Sequence, residues 1–144
     1  MRRTPLALAA ALLAAAACSS STAPREDEEV RVLGVIAGYN TDDPRITVPA
    51  TAERGVPFPV SVVTYGGGCY RPDDTEVRVV GPAVVEVAPY DFERPGAVCT
   101  LILKASTHTA SVRFDAAGPA VVRIRGRQRP GDGELVVERE VLVR

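Results

Sequence analysis

Tryptophan is absent from the 144-residue chain, and four Tyr and three Phe are its only aromatics. A platform that stacks nucleobases or sugar rings needs more than that. Histidine occurs once, as His108, and cysteine three times, as Cys18, Cys69 and Cys99. One imidazole with two pairable thiols falls short of the ligand set of a zinc site. His108 lies between Thr107 and Thr109 in what reads as a turn between strands, with no chemical role. None of the hydroxyls at Ser61, Ser106 and Ser111 sits in a Gly-x-Ser-x-Gly turn, the setting of a strained nucleophile. The acidic pairs Asp42-Asp43 and Asp73-Asp74, and Asp91 with Glu93, lack EF-hand spacing and read as turn-forming loop residues. A cation held by Asp73, Asp74 and Asp91 is the alternative. An excess of one charge is also missing: the formal net charge is −1, and Lys104 is the only lysine among 17 basic residues. Nucleic-acid binding needs a clustered basic field, so that class is excluded. With no convergent acid, base or nucleophile, the chain reads as non-enzymatic, without cofactor or metal.

Long hydrophobic runs are lacking too. Leu6 to Ala17 is apolar throughout but falls far short of the roughly 20 residues that a spanning helix requires. Preceded by Arg2 and Arg3, it reads as a secretory signal covering residues 1–17. Ala15-Ala16-Ala17 suits an ordinary small-residue cleavage site before Cys18. The same residues with Cys18 also resemble the lipobox of bacterial lipoproteins, although Ala15 stands where leucine is usual. That resemblance implies that Cys18 becomes the mature N-terminus, its sulfur carrying diacylglycerol and its amine a palmitate-type acyl chain. Several acyl chains hold a protein on a membrane far more firmly than one. Ser19, not being Asp, implies outer-membrane sorting in a two-membrane envelope. The following SSSTAPREDEE, to Glu29, is small and then acidic, without apolar periodicity, and residues 18–29 read as a flexible tether.

From Val30 onward, β-branched runs, period-two alternation and Gly/Pro punctuation predict strands. The expected strands are Val30–Gly38, a Pro-limited edge at Ile46–Pro49, and Phe58 onward to the glycine run. Thr75–Val80, Val84–Ala88, Val98–Ala105, Ala110–Asp115, Ala120–Arg127 and Leu135–Val143 complete the set. No stretch has a helical period. About eight or nine short strands predict one all-β domain over residues 30–144, a single antiparallel sandwich. The stretches TVPATAERGVPFPVSVVTYGGGC and ASVRFDAAGPAVVRIRGR resemble the strand–turn–strand rhythm of bacterial immunoglobulin-like modules. This resemblance implies a scaffold and no particular activity. In the last hairpin Arg123, Arg125 and Arg127 share a face. With 130–133 as the turn, Arg125 is expected opposite Glu138 and Arg123 opposite Glu140, an ion-pair ladder rather than an anion site.

With Cys18 lipidated in an oxidising compartment, Cys69 and Cys99 are expected to pair. The bridge would tie Gly66-Gly67-Gly68 to a loop from Tyr90 to Gly96, the glycines adopting conformations that other residues avoid. No Cys-x-x-Cys points to redox catalysis. Tyr65, Gly66, Gly67, Gly68, Tyr70 and Arg71, extended by Tyr90 and Phe92, form the candidate partner-binding loop, since Tyr and Arg are enriched at hot spots. The alternative is that Tyr65 packs in the core and Tyr70 covers the disulfide. The leading expectation is a membrane-anchored module binding a protein or envelope polymer. A purely structural lipoprotein and a loop-presenting inhibitor of a secreted peptidase are the competitors.

Overall fold

The computed structural model describes residues 28–38, 44–131 and 133–144. The signal, Cys18, Ser19 and most of the tether, along with Asp42-Asp43, lie outside the described residues. Among the described residues there is no helix, and ten strands are joined in one mixed sheet. They are β1 (Val30–Leu33), β2 (Val35–Ala37), β3 (Ile46–Thr47), β4 (Thr51–Ala52) and β5 (Phe58–Gly66), then β6 (Tyr70–Gly81), β7 (Val84–Glu93), β8 (Lys104–Val112), β9 (Gly118–Gln128) and β10 (Glu134–Val143).

Two antiparallel groups carry most of the pairing. β5 pairs with β8 and β3, while β7 pairs with β6 and β1, and β9 with β10. The sequence predicted a purely antiparallel arrangement, but the sheet is mixed. β7 runs parallel to β9, β2 parallel to β9, and β4 parallel to β10. Alternation along a strand reports which face is buried and says nothing of a neighbour's direction.

Period-two alternation builds one core from both groups. Phe58, Val60 and Val62 of β5 and Ala110 and Val112 of β8 meet Val85 and Val87 of β7 and Val122 and Ile124 of β9. Ile36 of β2 enters the same cluster, fully buried. Its place is made by Gly126, where a Cβ would come within 2.5–2.7 Å of three Ile36 side-chain carbons. A strand glycine here marks a close approach, not a weak spot.

The first predicted strand is interrupted at Gly34. There the chain leaves β7, its partner in β1, and joins β5 and β9 as β2. Gly34 N donates to Pro89 O at 2.9 Å, and its carbonyl accepts from Arg127 N at 2.8 Å. The predicted Val98–Ala105 strand is absent before Lys104, so residues 98–103 have no strand partner. The final hairpin is shifted by two residues from expectation: Arg123 lies opposite Glu138 and Arg127 opposite Glu134. The cause is local. Gln128 N pairs with Gly133 O at 3.0 Å, and Arg129 N turns away from β10 to Ala37 O at 3.0 Å.

The candidate site at the disulfide end

Cys69 and Cys99 are bridged, with Cα atoms 5.4 Å apart across 30 residues of sequence. That spacing is ordinary for a disulfide. The bridge joins the β5–β6 turn to the connection that leads into β8. The glycines fit for a reason the sequence did not reveal. None of Gly66, Gly67 and Gly68 is among the glycines with positive φ. Instead a Cβ on Gly66 would overlap the Tyr70 ring, and one on Gly68 would overlap the Thr100 hydroxyl. Gly68 N also donates to Thr100 O at 3.2 Å, reinforcing the bridge.

Several of the expected contact residues are already engaged. Tyr65 and Gly66, at the end of β5, are both buried, Tyr65 on the face opposite Phe58, Val60 and Val62, which removes both from any docking surface. Tyr70 is half-buried; its hydroxyl accepts from Arg129 Nη2 at 3.3 Å and its carbonyl from Lys104 Nζ at 2.9 Å. Burial comes first among the causes that raise the Tyr70 phenol above its ordinary value. Tyr90 and Phe92 are not in a loop, because β7 runs on to Glu93. Arg31 caps the Tyr90 ring at 3.6 Å, and Arg71 caps Phe92 at 4.0 Å. Gly67 and Arg71 keep surface exposure.

Glu29, assigned by sequence to the tether, is part of this end. Its carboxylate accepts from Arg71 Nη2 at 2.5 Å and from Arg94 Nη2 at 3.1 Å. The Arg71 hydrogen bond is the largest cause that holds its carboxyl below the ordinary 4.5. Stability from such a group is complete above its unfolded pKa and is lost as pH falls through the lowered folded value. This pair's contribution to thermal stability is therefore expected to be lost only below about pH 4.5, and Glu29→Gln should flatten part of the acid limb of the melts. An unchanged acid limb in Glu29→Gln would show that the pair contributes nothing.

What the loop expectation missed is apolar. Val98 and Leu101 are fully exposed, and Ile102 and Leu103 are more than half exposed. The period-two pattern of this segment had placed those side chains in a strand. Two clefts flank the bridge. One, of about 360 Å³, is walled by Gly66, Gly67 and residues 99–103; the other, of about 350 Å³, is lined by Glu29, Tyr70, Arg71, Arg94 and Lys104 among others. An apolar rim beside a mixed-charge cleft is suited to bind a surface with both properties.

The acidic loop residues do not converge. Asp73 accepts from Arg31 Nε at 2.6 Å. Burial is the largest single influence and acts to raise its carboxyl, but the Arg31 hydrogen bond, the Asp74 backbone hydrogen bond and the charges of Arg31 and Arg71 together leave it below the ordinary value. Asp91 is buried within β7, and among the described residues no cluster of His, Cys, Asp or Glu could hold a metal. The arginine stripe is likewise occupied: Arg123 pairs with Glu138 at 2.9 Å, and Arg125 with Glu134 at 2.9 Å and Glu86 at 3.1 Å. Arg127 Nε donates to Leu33 O at 2.5 Å.

His108 is not in a turn. It stands in the middle of β8, buried, with Nε2 3.2 Å from Asp91 Oδ1 and 3.0 Å from Thr64 Oγ1. Thr64 Oγ1 also donates to Asp91 Oδ1 at 3.2 Å. A carboxylate accepts from both neighbours, so Nε2 carries the hydrogen. A hydrolytic triad divides the work between the two ring nitrogens, carboxylate on one and nucleophile on the other. Here one nitrogen faces both groups, and all three residues are shielded from solvent. Comparison of the chain with known protein families, with curated proteins and with solved structures finds no match.

Proposed function

We propose that this protein is a non-enzymatic lipoprotein, anchored through Cys18 in the cell envelope, that binds a protein or envelope polymer through its disulfide end. The Ser19 reading makes the outer membrane the expected site. In this reading the domain is an immunoglobulin-like sandwich, with the β5–β8 group facing the β6–β7–β9–β10 group across the shared core. One observation carries the binding assignment: four apolar side chains, Val98, Leu101, Ile102 and Leu103, stand in solvent on a segment clamped by Cys99. Exposed apolar side chains grouped in this way mark interaction sites, and clamping them lowers the ordering penalty on binding. Arg71 and Gly67 remain as neighbours in the surface, while Tyr65 and Gly66 do not. The peptidase-inhibitor reading loses ground, because Gly67–Cys69 is a short, half-buried turn and presents no protruding loop.

The test is a photo-crosslinking amino acid at Ile102, introduced into the chain in its own envelope. A discrete adduct that weakens about tenfold when Leu101 is replaced by Asp is the expected result. An adduct pattern equal to that from a probe at Val136, on β10, would remove the assignment.

A further inference from the structure

The second uncovered surface is the outer edge of β6. Among the described residues β7 is the only strand paired with it. Between two register breaks, Thr75 to Val79 run as a regular strand against Pro89 to Val85. Val77 and Val79 lie opposite the core residues Val87 and Val85, on the core side of the sheet, yet Val79 is 77% exposed. The sheet therefore ends in an apolar overhang beside unpaired backbone groups, a template for another strand.

We infer that this edge pairs with the same edge of a second copy of the chain, antiparallel, about a two-fold axis between the two Val77 residues. The sequence Thr75-Glu76-Val77-Arg78-Val79 is self-complementary in that register alone. With Val77 opposite Val77 of the second copy, Glu76 faces Arg78 of the second copy, and Arg78 faces its Glu76. Opposed residues of an antiparallel pair share a face, so registers change in steps of two. One step one way sets Glu76 against Glu76, and one step the other way sets Arg78 against Arg78. Like charges directly opposite are destabilising, whereas opposite charges stabilise. The valines of both copies then form one continuous apolar strip on the core side. Arg31 already donates to Glu76 at 2.8 Å, which fixes that carboxylate on the outer face, ready for a second guanidinium. An isologous contact of this kind closes at two copies and does not propagate. The pairing stands independently of the proposed anchor and of the disulfide end.

A five-residue strand pair is a small interface, so self-association on the order of 0.1 mM in solution is expected. Sedimentation equilibrium of the full chain in density-matched detergent should give a monomer–dimer equilibrium without larger species. Arg78→Glu should weaken the dimer about tenfold or more, as should Val79→Asp. An equimolar mixture of Arg78→Glu with Glu76→Arg should restore it, since each carboxylate again meets a guanidinium. Glu76→Arg also places two cations beside each other at Arg31; if it fails to fold, the two other variants, at exposed positions, decide the matter. A chain that stays monomeric to about 1 mM overturns the inference. A dimer indifferent to Arg78→Glu and Val79→Asp overturns it equally.

Discussion

Asp91→Ala is expected to lower the stability of the folded chain by about 2–5 kcal/mol, although the residue touches no surface. The carboxylate accepts from Thr64 Oγ1 and His108 Nε2, both at 3.2 Å, and the three side chains come from β5, β7 and β8. Truncation leaves a hydroxyl and an imidazole buried with half their partners gone. Thr64 and His108 keep only their mutual 3.0 Å contact, and each buried bond lost without replacement costs about 1–3 kcal/mol. No room exists for the backbone to close over the gap, because Gly34 already lies against Thr64 and Asp91. Urea melts would measure the loss. The sharper check is a cycle with His108→Leu. Replacing both members by apolar residues removes the under-satisfied imidazole as well as the bond, so the double variant should lose less than the two single losses added together. Additive losses would show that the contact carries no coupling. A loss under about 1 kcal/mol in Asp91→Ala would dismiss the network as a stabilising element.

The same residues show where sequence reading succeeds and where it stops. Strand positions such as Phe58–Gly66 were legible because one face of each is buried and alternation records it. The Cys69–Cys99 pair was legible from the odd cysteine count, on the expectation that Cys18 is lipidated and the domain exported. Parallel pairing was not, since alternation carries no information about a neighbour's direction. The stop of β7 was placed too early because Pro89, Asp91 and Glu93 look like loop residues. In fact Pro89 and Asp91 are buried, and Asp91 finds two donors there that lie 27 and 17 residues away in the chain. The segment 98–103 failed in the opposite sense. Its valine and leucines look like a strand, but the bridge at Cys99 and the bond from Gly68 N to Thr100 O hold it off the sheet. Long-range partners decided both cases, and local composition is blind to them.

Replacing Cys69 and Cys99 together by Ala is expected to remove about 4 kcal/mol, the loop-closure value for a bridge spanning 30 residues. Against a typical total of about 5–15 kcal/mol, that is a large share. The loss should be uneven in space. Residues 98–103 have no strand partner, and the bridge, the Gly68–Thr100 bond and the Lys104 Nζ–Tyr70 O bond are what hold them. Hydrogen exchange is therefore expected to rise first at Thr100 to Leu103 and at the start of β8, while β9 and β10 keep their protection until global unfolding. This separates two roles for the bridge. If it only restrains the unfolded chain, native-state exchange near Cys99 will match that of the oxidised protein, and the proposed binding end will keep its shape after reduction. If it also holds the native loop, exchange there will rise well before the core opens. The photo-crosslink at Ile102 should then disappear in reduced protein that is still folded. The geometry favours the second outcome, because Leu101 is fully exposed and Ile102 more than half exposed, so neither is anchored by deep burial.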